Sequence, residues 1–342
     1  MFDALDLHTL WFALVGILFT GYVILDGFDL GVGALHLFAR TDEERRTLLN
    51  AIGPVWDGNE VWLVTGGGAL FAAFPEAYAT VFSGFYLPFI LLLLGLIFRA
   101  VAIEFRSKEP MFWWRQMWDI SFCLGSLASS FLLGVTIGNF AWGLPLDEQH
   151  EFAGTFVGLL HPYAILMGVT TIALFMMHGA IYVVMKTEGV LHQRARGWVH
   201  NTMIFFLICL ATSTMATLVY VPRMTDVLRH EPWLFGVALA HMLAVANIPR
   251  EITAGRDFRA FLSSAAAMAT LMALYGLGMY PNLVYSHPHP EHSLTIHNAA
   301  SSRKTLEIML IIAILGVPVV LAYTLSIYWI FRGKVKLDRM SY

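Results

Sequence analysis

The chain has 342 residues, 58% of them hydrophobic and only 13% charged, with a formal net charge of −3. Soluble domains carry about 25% charged residues, so this is the composition of a polytopic membrane protein. A slightly negative chain has no basic face to spare for phosphates, which excludes a nucleic-acid partner.

A membrane-spanning helix needs about 20 mostly apolar residues. Nine stretches qualify in chain order: 8–37, 52–73, 77–105, 117–140, 160–185, 198–220, 232–248, 259–281 and 305–331. The expected fold class is an all-α polytopic membrane protein, one integral membrane domain over 1–342. The first stretch is long and interrupted by Asp26 and Asp29. It lacks a basic flank and a small-residue cleavage pattern, so it reads as a first membrane helix rather than a removable signal. The second and third are joined by a tight turn at Phe74-Pro75-Glu76, and the seventh is short. Cys123 and Cys209 lie in apolar stretches and read as small buried hydrophobes, with no metal site implied.

Loop charge sets the expected orientation. Sixteen of the 21 Lys and Arg residues fall in the loops 1–2, 3–4, 5–6 and 7–8 and in the tail of Arg332, Lys334, Lys336 and Arg339. Four lie on the other side: Arg223, Arg229, Arg303 and Lys304. Positive charge marks the cytoplasmic side, so the N-terminus is expected outside and the C-terminus in the cytoplasm. Gly27-x-x-x-Gly31 and the run Gly66-Gly67-Gly68-Ala69 have the spacing that lets membrane helices approach closely. The glycine run has no following Lys-Ser/Thr, which argues against a phosphate loop.

Residues 50–108 hold the exception to this apolar pattern. Asp57, Glu60, Arg99 and Glu104 lie in or at the ends of two crossings, where a charge at mid-depth costs roughly 2.5–3.5 kcal/mol. At about 1.5 Å rise per residue, all of them, with Asp26, Asp29 and Asp119, fall in the cytoplasmic half. The pairs Asp26/Asp29 and Asp57/Glu60 each share a helix face. Acids that enter from one side and stop have the layout of a proton half-channel, because neighbouring carboxyls bring one another toward working pH. The competing reading is an Arg99–carboxylate ion pair that holds helices together. Trp56 and Trp62 flank the acids and read as walls of this polar path. Trp11, Trp113, Trp114, Trp142, Trp198 and Trp233 read as an interfacial belt.

Haem needs axial ligands such as His or Met. His36, His161, His178, His200 and His241 lie in or near spans, but no two share a span at ligand spacing, and each reads as a packing residue. The sixteen Met residues read as membrane-core filling. The outer segment His287-Pro288-His289-Pro290-Glu291-His292, with His297, lacks a fixed scaffold for a surface metal. The expectation is therefore no metal site and no redox ligand in this chain.

Several co-linear motifs carry a family resemblance. They are Asp26-Gly-Phe-Asp-Leu-Gly-Val-Gly33, Trp56-Asp-Gly-Asn-Glu-Val-Trp62, Gly67-Gly-Ala-Leu-Phe-Ala-Ala73, Phe82-Ser-Gly-Phe-Tyr86, Phe98-Arg99, Phe105-Arg-Ser-Lys108 and Met117-Trp-Asp119. Together they resemble subunit II of cytochrome bd-type quinol oxidases. The match is dense over 15–140 and thinner afterwards, where His178-Gly-Ala and Lys186-Thr-Glu-Gly189 still fit. The resemblance implies a bacterial inner-membrane terminal oxidase that oxidises the quinol pool and reduces O₂ to water. It implies haems b and d on a partner, subunit I, and two four-helix bundles plus one peripheral helix here. It also implies proton entry through Asp57, Glu104 and Lys108, and places Arg99 and Trp62 near an oxygen route and the subunit interface. Some members hold a structural quinone in subunit II. The short loop between helices 6 and 7 resembles the compact members.

This chain departs from the common pattern at four positions. Glu104 stands where many members have Asp, Val55 where many have His, Glu60 where many have Gln, and Ala100 where proline is common. Glu60 is thus either an added proton site or a neutral variation. The sequence leaves open whether the quinol is ubiquinol or menaquinol, whether quinone binds here and whether a small third subunit joins. Two other function classes compete: a proton-coupled transporter, which would need paired broken helices in inverted halves, and a self-contained haem enzyme.

Overall fold

In a membrane, lipid tails are as apolar as leucine, so helices associate through close packing and buried hydrogen bonds. The computed structural model, which describes residues 6–337, shows both devices. Arg339, counted above in the basic tail, lies outside the described residues. The helices are α1 (Leu7–Leu35), α2 (Asp42–Ile52), α3 (Trp56–Ala73), α4 (Pro75–Gly84), α5 (Tyr86–Phe105), α6 (Phe112–Trp142), α7 (Pro162–Lys186), α8 (Gly189–Tyr220), α9 (Arg223–His230), α10 (Phe235–Thr253), α11 (Asp257–Met279) and α12 (Arg303–Ile330). A short antiparallel pair, β1 (Asn282–Val284) and β2 (Leu294–Thr295), precedes α12.

α1 and α7 form the centre. Phe28, Leu30 and Val32 of α1 and most of Ala173–Val184 of α7 are fully buried. Their crossing needs glycine on both sides: a Cβ on Gly31 would sit 1.9 Å from the Phe175 carbonyl oxygen, and one on Gly179 would sit 2.5 Å from the Gly31 carbonyl carbon. Gly27 and Gly31 thus do what their spacing predicts. The glycine run does so only at Gly66, against the Phe19 ring, while Gly67 and Gly68 face open space.

Four sequence-based boundaries need correction. The stretch 37–52 is not a plain loop. Its residues 42–52 form α2, started by a capping box in which Thr41 and Glu44 satisfy each other's backbone amides. The following span begins at Trp56 rather than 52, after Gly53-Pro54. The stretch 77–105 is two helices that break at Phe85, since Pro88 has no N–H to donate to the Gly84 carbonyl. Asp119 does not begin its helix; it lies two turns inside α6.

Eight described helices are long and apolar enough to cross a membrane. The expected second span, α3, is not among them, because Asp57, Asn59 and Glu60 dilute its 18 residues. α3 nevertheless runs antiparallel alongside α1. Asn59 meets Leu25 and Asp29, Trp62 packs on Gly21 and Phe19 on Gly66. Its far end reaches the start of α12, where Ser301 N donates to the Ala73 carbonyl at 2.8 Å. Trp11 of α1 donates to the Leu306 carbonyl at the same end, at 3.0 Å. α12 is otherwise mostly exposed along its length.

Candidate functional site

α1 is apolar except at one face, and α3 and α5 bring their own polar residues to that face. Arg99 of α5 is fully buried. Its Nη1 donates to Asp26 Oδ1 at 2.7 Å and its Nη2 donates to Glu60 Oε1. The side chains of Arg99 and Asp26 are 0% exposed and that of Glu60 is 23% exposed. A buried guanidinium is tolerated only when its partners are well placed, since desolvation costs several kcal/mol per ion. Here it ties three helices together.

Asp29 sits one turn along α1 from this pair. Asn59 of α3 donates from Nδ2 to Asp29 Oδ2 at 2.7 Å and to the Leu25 carbonyl at 3.2 Å. Tyr328 of α12 donates its hydroxyl to Asn59 Oδ1 at 2.9 Å. Among the described residues, Tyr22 OH, Asp26 Oδ2, Asp29 Oδ1 and Arg99 Nε are buried without a hydrogen-bond partner.

Asp119 belongs to a separate network. It accepts from Arg45 Nη1 at 2.7 Å and Arg106 Nε at 2.6 Å, and lies 2.5 Å from His36 Nε2. Arg106 and Arg115 also reach Asp42 at 2.8 and 3.2 Å. Arg194 of α8 pairs with Glu44 at 2.5 Å. Burial pushes the Glu44 carboxyl up, but the Arg40 amide and the Arg194 guanidinium outweigh it and hold the group below the usual range.

The remaining sequence-picked residues take no part in the hydrogen bonds just described. Asp57 is exposed on α3, Glu104 is half-buried near the end of α5, and Lys108 is exposed just beyond it. Trp62 is half-buried against Gly21, where a Cβ would sit 2.4 Å from its ring. Trp56 packs on the central apolar core. Trp11 and Trp198 are buried rather than facing outward as a belt. Sequence reasoning missed Asn59, Tyr328, Arg45 and Arg106. Asn59 had a usable signal, a polar amide between two acids of a membrane helix, whereas Tyr328 looks like any tyrosine at a span end.

A haem was tested against the donors present. His178 has both ring nitrogens engaged, by Ser264 Oγ at 2.6 Å and the Ile24 carbonyl at 3.0 Å. His36 is held by Asp119, and His200 is exposed. Among the described residues, His36 Nδ1 and the Nε2 atoms of His161 and His241 have no hydrogen-bond partner. The cavity beside His161, lined also by Trp142, Phe152 and His287, is about 190 Å³. Cofactor pockets usually span ~300–1,000 Å³. Among the described residues, no three His, Cys, Asp or Glu converge to hold a metal ion.

The family model described as cytochrome bd terminal oxidase subunit II matches residues 7–331. The chain belongs to that family. It is 37% identical to cytochrome bd-I ubiquinol oxidase subunit 2 of Escherichia coli K12, over 98% of this chain and 97% of that one. It is 36% identical to cytochrome bd ubiquinol oxidase subunit 2 of Bacillus subtilis, over 96% of this chain and 97% of that one. The fold matches a chain of the bd oxidase structure from Geobacillus thermodenitrificans, with a TM-score of 0.79, 17% identity and coverage of 96% and 98%. The bd subunit II family resemblance read from the motifs at 26–33, 56–62 and 105–108 is therefore correct. Two of those motifs, in this member of the family, supply Asp26, Asp29, Asn59 and Glu60 to one buried network.

Proposed function

We propose that this chain is the haem-less subunit II of a bd-type terminal oxidase in a bacterial cytoplasmic membrane. The complex oxidises two quinols and reduces one O₂ to two waters, so four electrons and four protons are consumed per turnover. The observation that carries the reading is family membership across 7–331. On this reading haems b and d belong to the partner, subunit I, and His178, whose two ring nitrogens are both hydrogen-bonded, serves packing. A structural quinone in this chain and a small third subunit remain part of the wider proposal, without a residue assigned to either.

The chain is one membrane-embedded unit of nine crossings, arranged as two four-helix bundles and peripheral α12, with the N-terminus outside and the C-terminus in the cytoplasm. α3 counts as a crossing because it parallels α1 from Asp29 to the start of α12. Its role is to scaffold the haem subunit and to admit protons from the cytoplasm by way of Lys108, Glu104 and Asp57, with Glu60 as a further acid. Arg99, Asp26, Asp29, Asp119, Trp56 and Trp62 shape the buried and interface region, and Arg99 with Trp62 borders an oxygen route. Exposure of Asp57 on α3 suits a group that hands protons across a subunit boundary.

The test is purification of the chain with and without its partner gene. The complex is expected to carry haem and quinol oxidase activity, and the chain alone to carry none. Stoichiometric haem on the isolated chain would refute the assignment.

A further inference from the structure

Asp29 is fully buried, and only half of its carboxyl is paired. Asn59 donates to Oδ2, while Oδ1 has no hydrogen-bond partner among the described residues. Arg99, the one guanidinium in the cluster, bonds Asp26 and Glu60 and makes no bond to Asp29. Three carboxyls facing one guanidinium would leave two net negative charges inside the membrane, each costing roughly 2.5–3.5 kcal/mol. A proton on Asp29 removes one of them and uses the unpaired oxygen.

The amide of Asn59 does not choose its own orientation, since its oxygen and nitrogen are set by their partners. Tyr328 OH donates to Oδ1, and the Leu25 carbonyl and Asp29 Oδ2 accept from Nδ2. Tyr328 is half-buried and lies two residues before the end of α12. The last helix therefore fixes the donor that Asp29 receives.

We propose that Asp29 is a proton-holding site within the membrane, and that Asn59 and Tyr328 are the residues that position it. The proposal rests on the proton-path reading above. One proton from cytoplasmic water bonds to Asp29 Oδ1 and later leaves as a proton, so only an O–H bond forms and breaks. The electrons come from quinol and go to O₂.

The test uses the intact oxidase with its partner. Infrared difference spectra of the reduced and oxidised complex are expected to show a protonated-carboxyl band that shifts in D₂O and vanishes in Asp29→Asn. Asp29→Asn should also slow proton uptake on the order of 10²-fold, as loss of a positioned proton-transfer group does. Tyr328→Phe, which keeps the ring at a half-exposed site, should shift the band and slow uptake several-fold with normal yield. A band that survives Asp29→Asn, or one unmoved by Tyr328→Phe, overturns the proposal. If Asp57→Asn slows uptake while Asp29→Asn does not, this inference falls and the proton-path reading stands. If neither variant slows uptake, both fall.

Discussion

Arg99 shows how one residue reconciles cost and retention. Its charge lies where insertion is expensive, yet carboxyls on two other helices pair with it. Removing the guanidinium leaves Asp26 and Glu60 facing each other, and breaking a buried pair costs about 3–5 kcal/mol. Arg99→Ala is therefore expected to lower the yield of assembled complex or alter its haem absorption spectrum, and normal yield with an unchanged spectrum would contradict this. Asp57 differs, being exposed and outside that network. Asp57→Asn should leave assembly intact while slowing O₂ consumption about tenfold or more, as the loss of a proton-transfer group does. Oxygen-electrode rates equal to the parent's would reduce Asp57 to a structural role. These residues were legible in the sequence because charges in apolar stretches stand out. Their partition was not: helical depth put Asp119 beside Asp26 and Glu60, whereas lateral position puts it in another network, and a one-dimensional pattern carries no lateral coordinate.

Among the elements, α2 is the one that loop-reading concealed. Eleven residues with a polar face look like a connection, but Asp42, Glu44 and Arg45 stitch α2 to α6 and α8. Asp119 is the hub, with a side chain 0% exposed and three cationic or potentially cationic partners. Asp119→Ala would leave Arg106 buried without its main partner. The detergent-solubilised complex should then lose about 3–5 kcal/mol of stability, measured by chemical denaturation. Glu44 adds a pH dependence of definite sign. Its carboxyl is held below the usual value in the fold, so its stabilising contribution is present above the ordinary Glu range. That contribution is lost as pH falls through the lower folded value. Glu44→Gln should thus lower the thermal midpoint near neutrality, and the gap from the parent should close in acid. A gap that stayed constant across that range would show that Arg194 contributes nothing through charge. Most helices were legible to within a few residues from hydropathy alone, while the breaks at Gly53-Pro54 and Phe85 required backbone chemistry to see.

At the scale of the whole molecule, crossing number and charge bias constrain each other. An odd number of crossings places the two termini on opposite sides, and α3 decides the parity, because it alone of the nine expected spans is too polar to count by hydropathy. The proposal that it crosses rests on its course. It begins level with Asp29 and ends where Ser301 and the start of α12 meet Ala73. Lys108 lies beside the Arg106–Asp119–Arg45 network at one end, and the His289–Glu291 turn lies in the segment leading to α12 at the other. By the positive-inside rule, the first of these ends is the one proposed to face the cytoplasm. Both native cysteines, Cys123 and Cys209, are free and buried, so single cysteines can report sidedness against a quiet background. A membrane-impermeant maleimide applied to intact spheroplasts should label Glu76→Cys, just past α3, and spare Glu43→Cys, ahead of it, both exposed positions, and inverted vesicles should reverse the pattern. Labelling of both positions from the same side would remove α3 from the set of crossings, and with it the placement of Asp57 and Glu60 inside the cytoplasmic half.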